Sequence, residues 1–175
     1  MADQFQIDDK EFVAFYKAVA QVDPELKKAL RKKITALAKP IVADVKQAAI
    51  AIPSQGGDVG GTRKKKGETL GLRAGLANAT KSDFNGTGRG AVVHIRVSSS
   101  KFIAATGRPR SLPYYMEGRR KRKWRHPVFG NKENWVEQSP HPFLAVTVFK
   151  HKDSFVDGVA DAVNEVLGQI DHKVD

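Results

Sequence analysis

The strongest constraint on this chain is one long apolar row. Leu26, Leu30, Ile34, Leu37, Ile41, Val45, Ala48 and Ile52 follow one another at steps of 4, 4, 3, 4, 4, 3 and 4 residues. Only an α-helix places such steps on one face. Lys27, Lys28, Arg31, Lys32, Lys33 and Lys39 fall off the row, so the helix has a dry side and a basic side. Asp23-Pro24-Glu25 supplies its start. Asp23 caps, Pro24 suits the first helical position, and Glu25 favours the positive end of the dipole. Pro40 lies inside the row. It removes one hydrogen bond and crowds the preceding turn, so a kink near residues 36–40 is expected, with two shorter helices as the alternative. Pro53 ends the row.

Around this helix the remaining elements are shorter. Asp8 and Asp9 precede Phe12, Val13, Phe15, Tyr16 and Val19, which predicts an N-terminal helix of about three turns. Residues 53–68 are rich in Gly and charge and are expected to form a mobile loop. Residues 69–80 suit a short helix or turn with Leu70, Leu72 and Leu76 inward, although Gly71 and Gly75 weaken a helix. A turn cluster at 85–90 leads into Val93, Ile95 and Val97, which alternate with His94, Arg96 and Ser98 as a strand. A second flexible loop is expected over about 100–112. Trp124–Val128 and Asn134–Gln138 predict two short strands joined by a turn at 129–132, giving a basic hairpin over about 119–138. Pro140 and Pro142 then introduce a C-terminal helix, whose apolar row is Val146, Phe149, Phe155, Val156, Val159, Val163, Val166, Leu167 and Ile170, with a break near His151–Ser154. The pattern predicts an α+β fold, residues 1–175 as a single domain. N-terminal helices come first, then a small antiparallel sheet with long loops, then a C-terminal helix packed on the sheet.

Composition narrows the function classes. Of 175 residues 41% are hydrophobic, enough to bury a core, and there is no cysteine to form a disulfide. The start, MADQFQIDDKEF, lacks the apolar stretch of a signal peptide. No apolar run approaches the ~20 residues that span a bilayer, so a soluble protein made inside the cell, with no membrane partner, is expected. The net charge of +11 is unevenly placed. Residues 61–125 hold 17 Lys and Arg against three acids, whereas residues 151–175 hold two Lys against six acids. That polarity suits a polyanion, and it equally suits head-to-tail contact between identical subunits.

The usual catalytic and cofactor patterns do not assemble. GGDVGGT at 56–62 has Thr62 and Arg63 where a phosphate-binding loop needs Lys and Ser or Thr, and no apolar strand precedes it. NGTGRGA at 85–91 leads into a strand and reads as a hairpin turn. The histidines at 94, 126, 141, 151 and 172 are scattered, and no cysteine is present to complete a zinc site. Ser98-Ser99-Ser100 lacks the context of a nucleophile elbow. The expectation is no enzyme, no catalytic residue, no metal and no cofactor.

What remains is basic. RRKRKWR at 119–125 carries six cations in seven residues. The candidate cationic residues, facing DNA or a neighbouring subunit, are Arg63, Lys64, Lys65, Lys66, Arg108, Arg110, Arg119, Arg120, Lys121, Arg122, Lys123 and Arg125. Tyr114, Tyr115 and Trp124 are candidate interface aromatics, whereas Trp135 reads as a core or sheet-packing residue. Charge alone leaves three readings open. The run could neutralise phosphates with Trp124 stacked on a base, meet an acidic protein surface, or keep a strand edge solvated.

The order of features adds a resemblance. A basic helix ends at Pro53; Leu70 and Leu72 follow; then come Tyr114-Tyr115-Met116-Glu117-Gly118, WRHPVFGN at 124–131 with Trp135-Val136, and Pro142-Phe143. This resembles the minor tail or tail-completion proteins, also described as neck or head–tail joining proteins, of long-tailed bacteriophages, in the version found in phages of actinobacteria. The resemblance covers nearly the whole chain. Its departures are Gly67-Glu68-Thr69-Leu70-Gly71 in place of Thr-Gly, a longer preceding loop, and a Glu-Gly that runs straight into the basic stretch. It implies a non-enzymatic virion protein of the neck or tail, assembled in the host cytoplasm. Its partners would be copies of itself in a sixfold ring, the head connector or adaptor, tail terminator and tail tube proteins, and genomic DNA in the lumen. The alternative is a sequence-nonspecific nucleic-acid-binding protein using residues 61–125.

Overall fold

The computed structural model describes residues 10–53, 70–87, 90–118, 123–128 and 131–174. The chain is α+β, with seven helices and two two-stranded antiparallel sheets among the described residues. In chain order these are α1 (Lys10–Val22), α2 (Pro24–Ile50), α3 (Leu72–Ala79), β1 (Thr80–Thr87), β2 (Gly90–Val97), α4 (Ser99–Thr106), α5 (Leu112–Met116), β3 (Trp124–Val128), β4 (Asn131–Gln138), α6 (Leu144–Lys150) and α7 (Lys152–Val174). The described chain divides into two compact units, one from residues 45–80 and 97–147, the other from residues 10–44, 81–96 and 148–174.

The long helix is unbroken. Pro40 sits inside α2, so the two-helix alternative is not realised. Asp23 caps it as expected, its Oδ1 accepting from the Glu25 N–H at 2.8 Å and the Leu26 N–H at 3.4 Å. The buried row is Leu26, Leu30, Ile34, Ala38, Ile41, Val45, Ala49 and Ile52. Ala38 and Ala49 therefore replace Leu37 and Ala48 of the expected row. Helical periodicity allows either neighbour; Ala38 is buried, and Leu37 beside it is half-buried.

In the unit holding residues up to 44, α2 meets α7. Lys33 pairs with Glu165, Leu37 meets Gly158, and Asp44 meets His151 Nε2 at 2.8 Å. As numbers rise on α2 they fall on α7, so the two run antiparallel. A Cβ on Gly158 would lie 2.8 Å from Leu37 Cδ2. Tyr16 and Val19 of α1 and Ile95 of β2 are buried in the same unit. Tyr16 meets Phe84 of β1 edge-on at 5.7 Å, and Arg31 lies over the Phe84 ring. Val93, Ile95 and Phe155 line one apolar cleft, so the start of α7 packs on the β1–β2 sheet.

The expected break in the C-terminal helix falls at His151, between α6 and α7. The single apolar row expected there divides. Phe155, Val159, Ala162 and Val166 are buried, whereas Val146, Phe149, Val156 and Leu167 are exposed.

In the other unit α3 crosses α4. Gly75 permits this, because a Cβ there would sit 2.0 Å from Thr106 Cγ2 and 3.6 Å from Phe102 Cε2. The loop expected over 100–112 is largely this helix. KFIAAT reads as helical only once fully buried Phe102 has α3 to pack on. Gly107 stops it in the left-handed conformation (φ 65°), donating to the Ile103 carbonyl. Two further elements give little signal in sequence: polar β1, and the single turn of α5. The 53–68 loop lies almost wholly outside the described residues.

Gly75→Ala is expected to lower unfolding stability by about 2 kcal/mol, because Thr106 cannot yield: its hydroxyl donates to the Phe102 carbonyl at 2.8 Å. Thr106→Ser removes the opposing methyl and is expected to restore most of the loss. Urea unfolding of the single and double variants checks this, and additive losses would contradict it.

Candidate functional site

The segment with the Tyr-Tyr-Met-Glu-Gly sequence is held to the segment with Pro142-Phe143 by one carboxylate. Glu117 Oε1 accepts from the backbone N–H of Phe143 at 3.0 Å and of Leu144 at 2.9 Å; Oε2 accepts from Ala145 at 3.2 Å. These are donors left unpaired by the first turn of α6, and a negative group there also meets the positive end of the helix dipole. The His141 N–H donates to the Met116 carbonyl at 2.9 Å. Gly118 turns away at φ 73°, and a Cβ there would lie 3.3 Å from Pro140 Cβ. Phe143 and Met116 are buried. Pro142-Phe143 thus opens the helix, as expected, but its cap comes from 26 residues upstream.

The β3–β4 hairpin continues from this support. Trp124 pairs with Gln138, Arg125 with Glu137 and Pro127 with Trp135, and the register shifts between Pro127 and Val128. β4 starts at Asn131, so Asn131 and Lys132 are strand residues instead of the expected turn. Alternation then decides which tryptophan is dry. Trp124 is only 9% exposed and lies against Tyr115, ring centroids 5.8 Å apart. Gln138 reaches the Met116 sulfur. Arg125, Trp135 and Glu137 share the opposite face.

The two tryptophans therefore exchange the roles expected of them. Trp124 is buried in its own chain instead of being free for a partner, and Trp135 is 48% exposed instead of being in the core. The Trp135 indole N–H donates to the Lys132 carbonyl at 2.7 Å, which fixes the ring with its face in water. With Arg125, Glu133, Asn134 and Val136 it lines an open groove. Sequence reasoning missed this residue because the strand phase in the hairpin was set by β3, and a tryptophan in either strand looks alike.

Among the described residues this hairpin carries both signs of charge. Lys123 bonds to Glu137 at 2.8 Å, and that hydrogen bond and charge raise the ammonium above its ordinary value. Glu133 adds a second acid. Arg108 and Arg110 are exposed on the segment between α4 and α5. Tyr114 and Tyr115 are half-buried. Arg63, Lys64, Lys65, Lys66, Arg119, Arg120, Lys121 and Arg122 lie outside the described residues. A further charged cluster sits on the β1–β2 hairpin. Partial burial pushes the Asp83 carboxyl up, but hydrogen bonds and charge from Arg96 and Lys81 outweigh it and hold the carboxyl below its ordinary value.

Among the described residues no group of three His, Asp or Glu could hold a metal ion, and no helix is long and apolar enough to cross a membrane. No family model, curated protein or solved structure matches the chain.

Trp124→Ala is expected to cost about 3 kcal/mol through a cavity beside Tyr115, and Trp135→Ala no more than ~0.5 kcal/mol. Glu117→Ala is expected to cost about 2 kcal/mol by unpairing the α6 N–H groups. Denaturant midpoints of the three variants check the order, and a larger loss for Trp135→Ala than for Trp124→Ala would contradict the hairpin phase.

Proposed function

We propose that the chain is a non-enzymatic assembly subunit of a phage neck. It would complete the tail and join it to the head connector as one member of a ring around the DNA channel. The observation that carries this reading is the outer face of the β3–β4 hairpin. A fixed, half-exposed Trp135 beside Arg125, with Glu133 and Glu137 balancing the local charge, suits a protein partner.

The motif geometry gives support of a second kind. The Tyr-Tyr-Met-Glu-Gly and Pro-Phe segments, on which the resemblance to tail-completion proteins rests, are joined through Glu117. Residues that act as one structural unit are a better basis for a resemblance than residues merely in the same order.

Nucleic-acid binding is kept as the second reading because Arg108 and Arg110 are exposed and have no ion pair among the described residues. In a ring, cations of this kind would attract the passing genome without reading its bases. The readings separate in a phage that encodes the chain. Deleting the gene is expected to leave filled heads and tails unjoined, and complementation with Trp135→Ala is expected to restore few joined particles although that variant folds. A normal yield of infectious tailed particles from the deletion would reject the assembly role. Submicromolar, steeply salt-dependent DNA retention by the isolated protein would favour the second reading.

A further inference from the structure

Helix α7 carries more apolar surface than its own chain covers. Its buried row, Phe155, Val159, Ala162 and Val166, advances by 4, 3 and 4 residues. One residue further along at every step lies a second row, Val156, Ala160, Val163 and Leu167, with the same spacing. One residue is about 100° round a helix. Val156 and Leu167 are each 42% exposed, Ala160 is exposed and Val163 is half-buried. A helix that needs one dry side gains nothing from a second, but 4-3-4 spacing is the seam that another helix packs against. The row turns away from the chain's own α2, which meets the other flank of α7 at Gly158 and Glu165.

Its border is acidic. Asp153, Asp157 and Asp161 are exposed at steps of four; Asp153 lies beside the second row, and each step winds about 40° further round toward the α2 flank, where Glu165 continues the ridge. An antiparallel pair of α7 helices would set two Asp rows side by side, and a parallel pair would leave each row without cations. The occupant must therefore be a helix with a cationic border and small side chains that admit Val156 and Leu167.

Helix α2 has that surface on its outer side. Lys28, Lys32 and Lys39 are exposed there, and Lys32 and Lys39 have no ion pair among the described residues. Ala29, Ala36 and Ala43 run beside them at steps of seven, a shallow track beside the Lys row. We infer that the outer row of α7 in one copy docks on the outer Ala-Lys face of α2 in a second copy, with the Asp row against the Lys row. The contact is heterologous and leaves one face free at each end. It therefore repeats, and closes into a ring where the rotation allows. This deepens the ring reading above by naming the surfaces in contact, and neither surface includes the hairpin.

The absence of cysteine makes the test clean. Val156→Cys and Ala36→Cys are both at exposed positions. The two variants are mixed at millimolar concentration and treated with a short bis-maleimide. A heterodimer is expected in the mixture, with at least tenfold less product from either variant alone, and less at high salt. Adding Lys32→Glu and Lys39→Glu to the Ala36→Cys chain should abolish the product. Adding Asp157→Lys and Asp161→Lys to the Val156→Cys chain should then restore it. Equal cross-linking by Val156→Cys alone would overturn the inference in favour of paired α7 helices; no cross-link in any mixture would overturn it outright. The phage role stands or falls separately. Joined particles assembled from cross-link-negative protein would sink this interface alone, and a cross-link with no joining defect on gene deletion would sink the neck reading alone.

Discussion

The antiparallel contact between α2 and α7 sets what the rest of its unit can do. It is close because Gly158 has no side chain to hold Leu37 away, a Cβ there falling 2.8 Å from Leu37 Cδ2. Lys33–Glu165 and Asp44–His151 sit to either side of it and are exposed, so they add register more than stability. Fixing one flank of α7 on α2 and another on the core decides which side of each helix faces water. The acidic border of α7 and the lysine row of α2 are consequences of that choice. The charge polarity of the sequence thus acquires an address on particular helix faces.

In the other unit a carboxylate has the comparable role. Glu117 supplies the acceptors that α6 cannot find within itself, and so ties α5 to the segment that follows the hairpin. Trp124 is buried against Tyr115 of the same α5. The hairpin is thereby anchored at its base, and the outer face with Trp135 and Arg125 is carried on a supported strand pair. An exposed aromatic on a rigid mount loses little freedom when a partner covers it.

Much of this architecture was legible in the residues. The 4-and-3 steps from Leu26 to Ile52, the Asp23 cap, the β2 alternation and the break at His151 all depend on local geometry, which sequence carries directly. The failures share a cause. Choosing Ala38 over Leu37, or the Phe155 row over the Val156 row, depends on which neighbour approaches, and period alone cannot fix that. Helix α4 depends on a glycine in α3, since Gly75 makes room for Thr106. The exchange between Trp124 and Trp135 is a matter of strand phase, where a shift by one residue moves every side chain to the other face. Most of the basic run, residues 119–122, lies outside the described residues, whereas its acidic neighbours are described. Glu117, Glu133 and Glu137 are few, but one organises the fold and the other two set the character of the hairpin face.

We propose that this chain works by repeated contact with copies of itself and with neighbouring particle proteins. A reconstruction of the head–tail junction of a phage encoding it tests this most directly. The expected result is a ring of copies at the junction, α7 of each subunit seated on α2 of the next, with the β3–β4 hairpin buried against an adjoining protein. A junction with no density for the chain would contradict it.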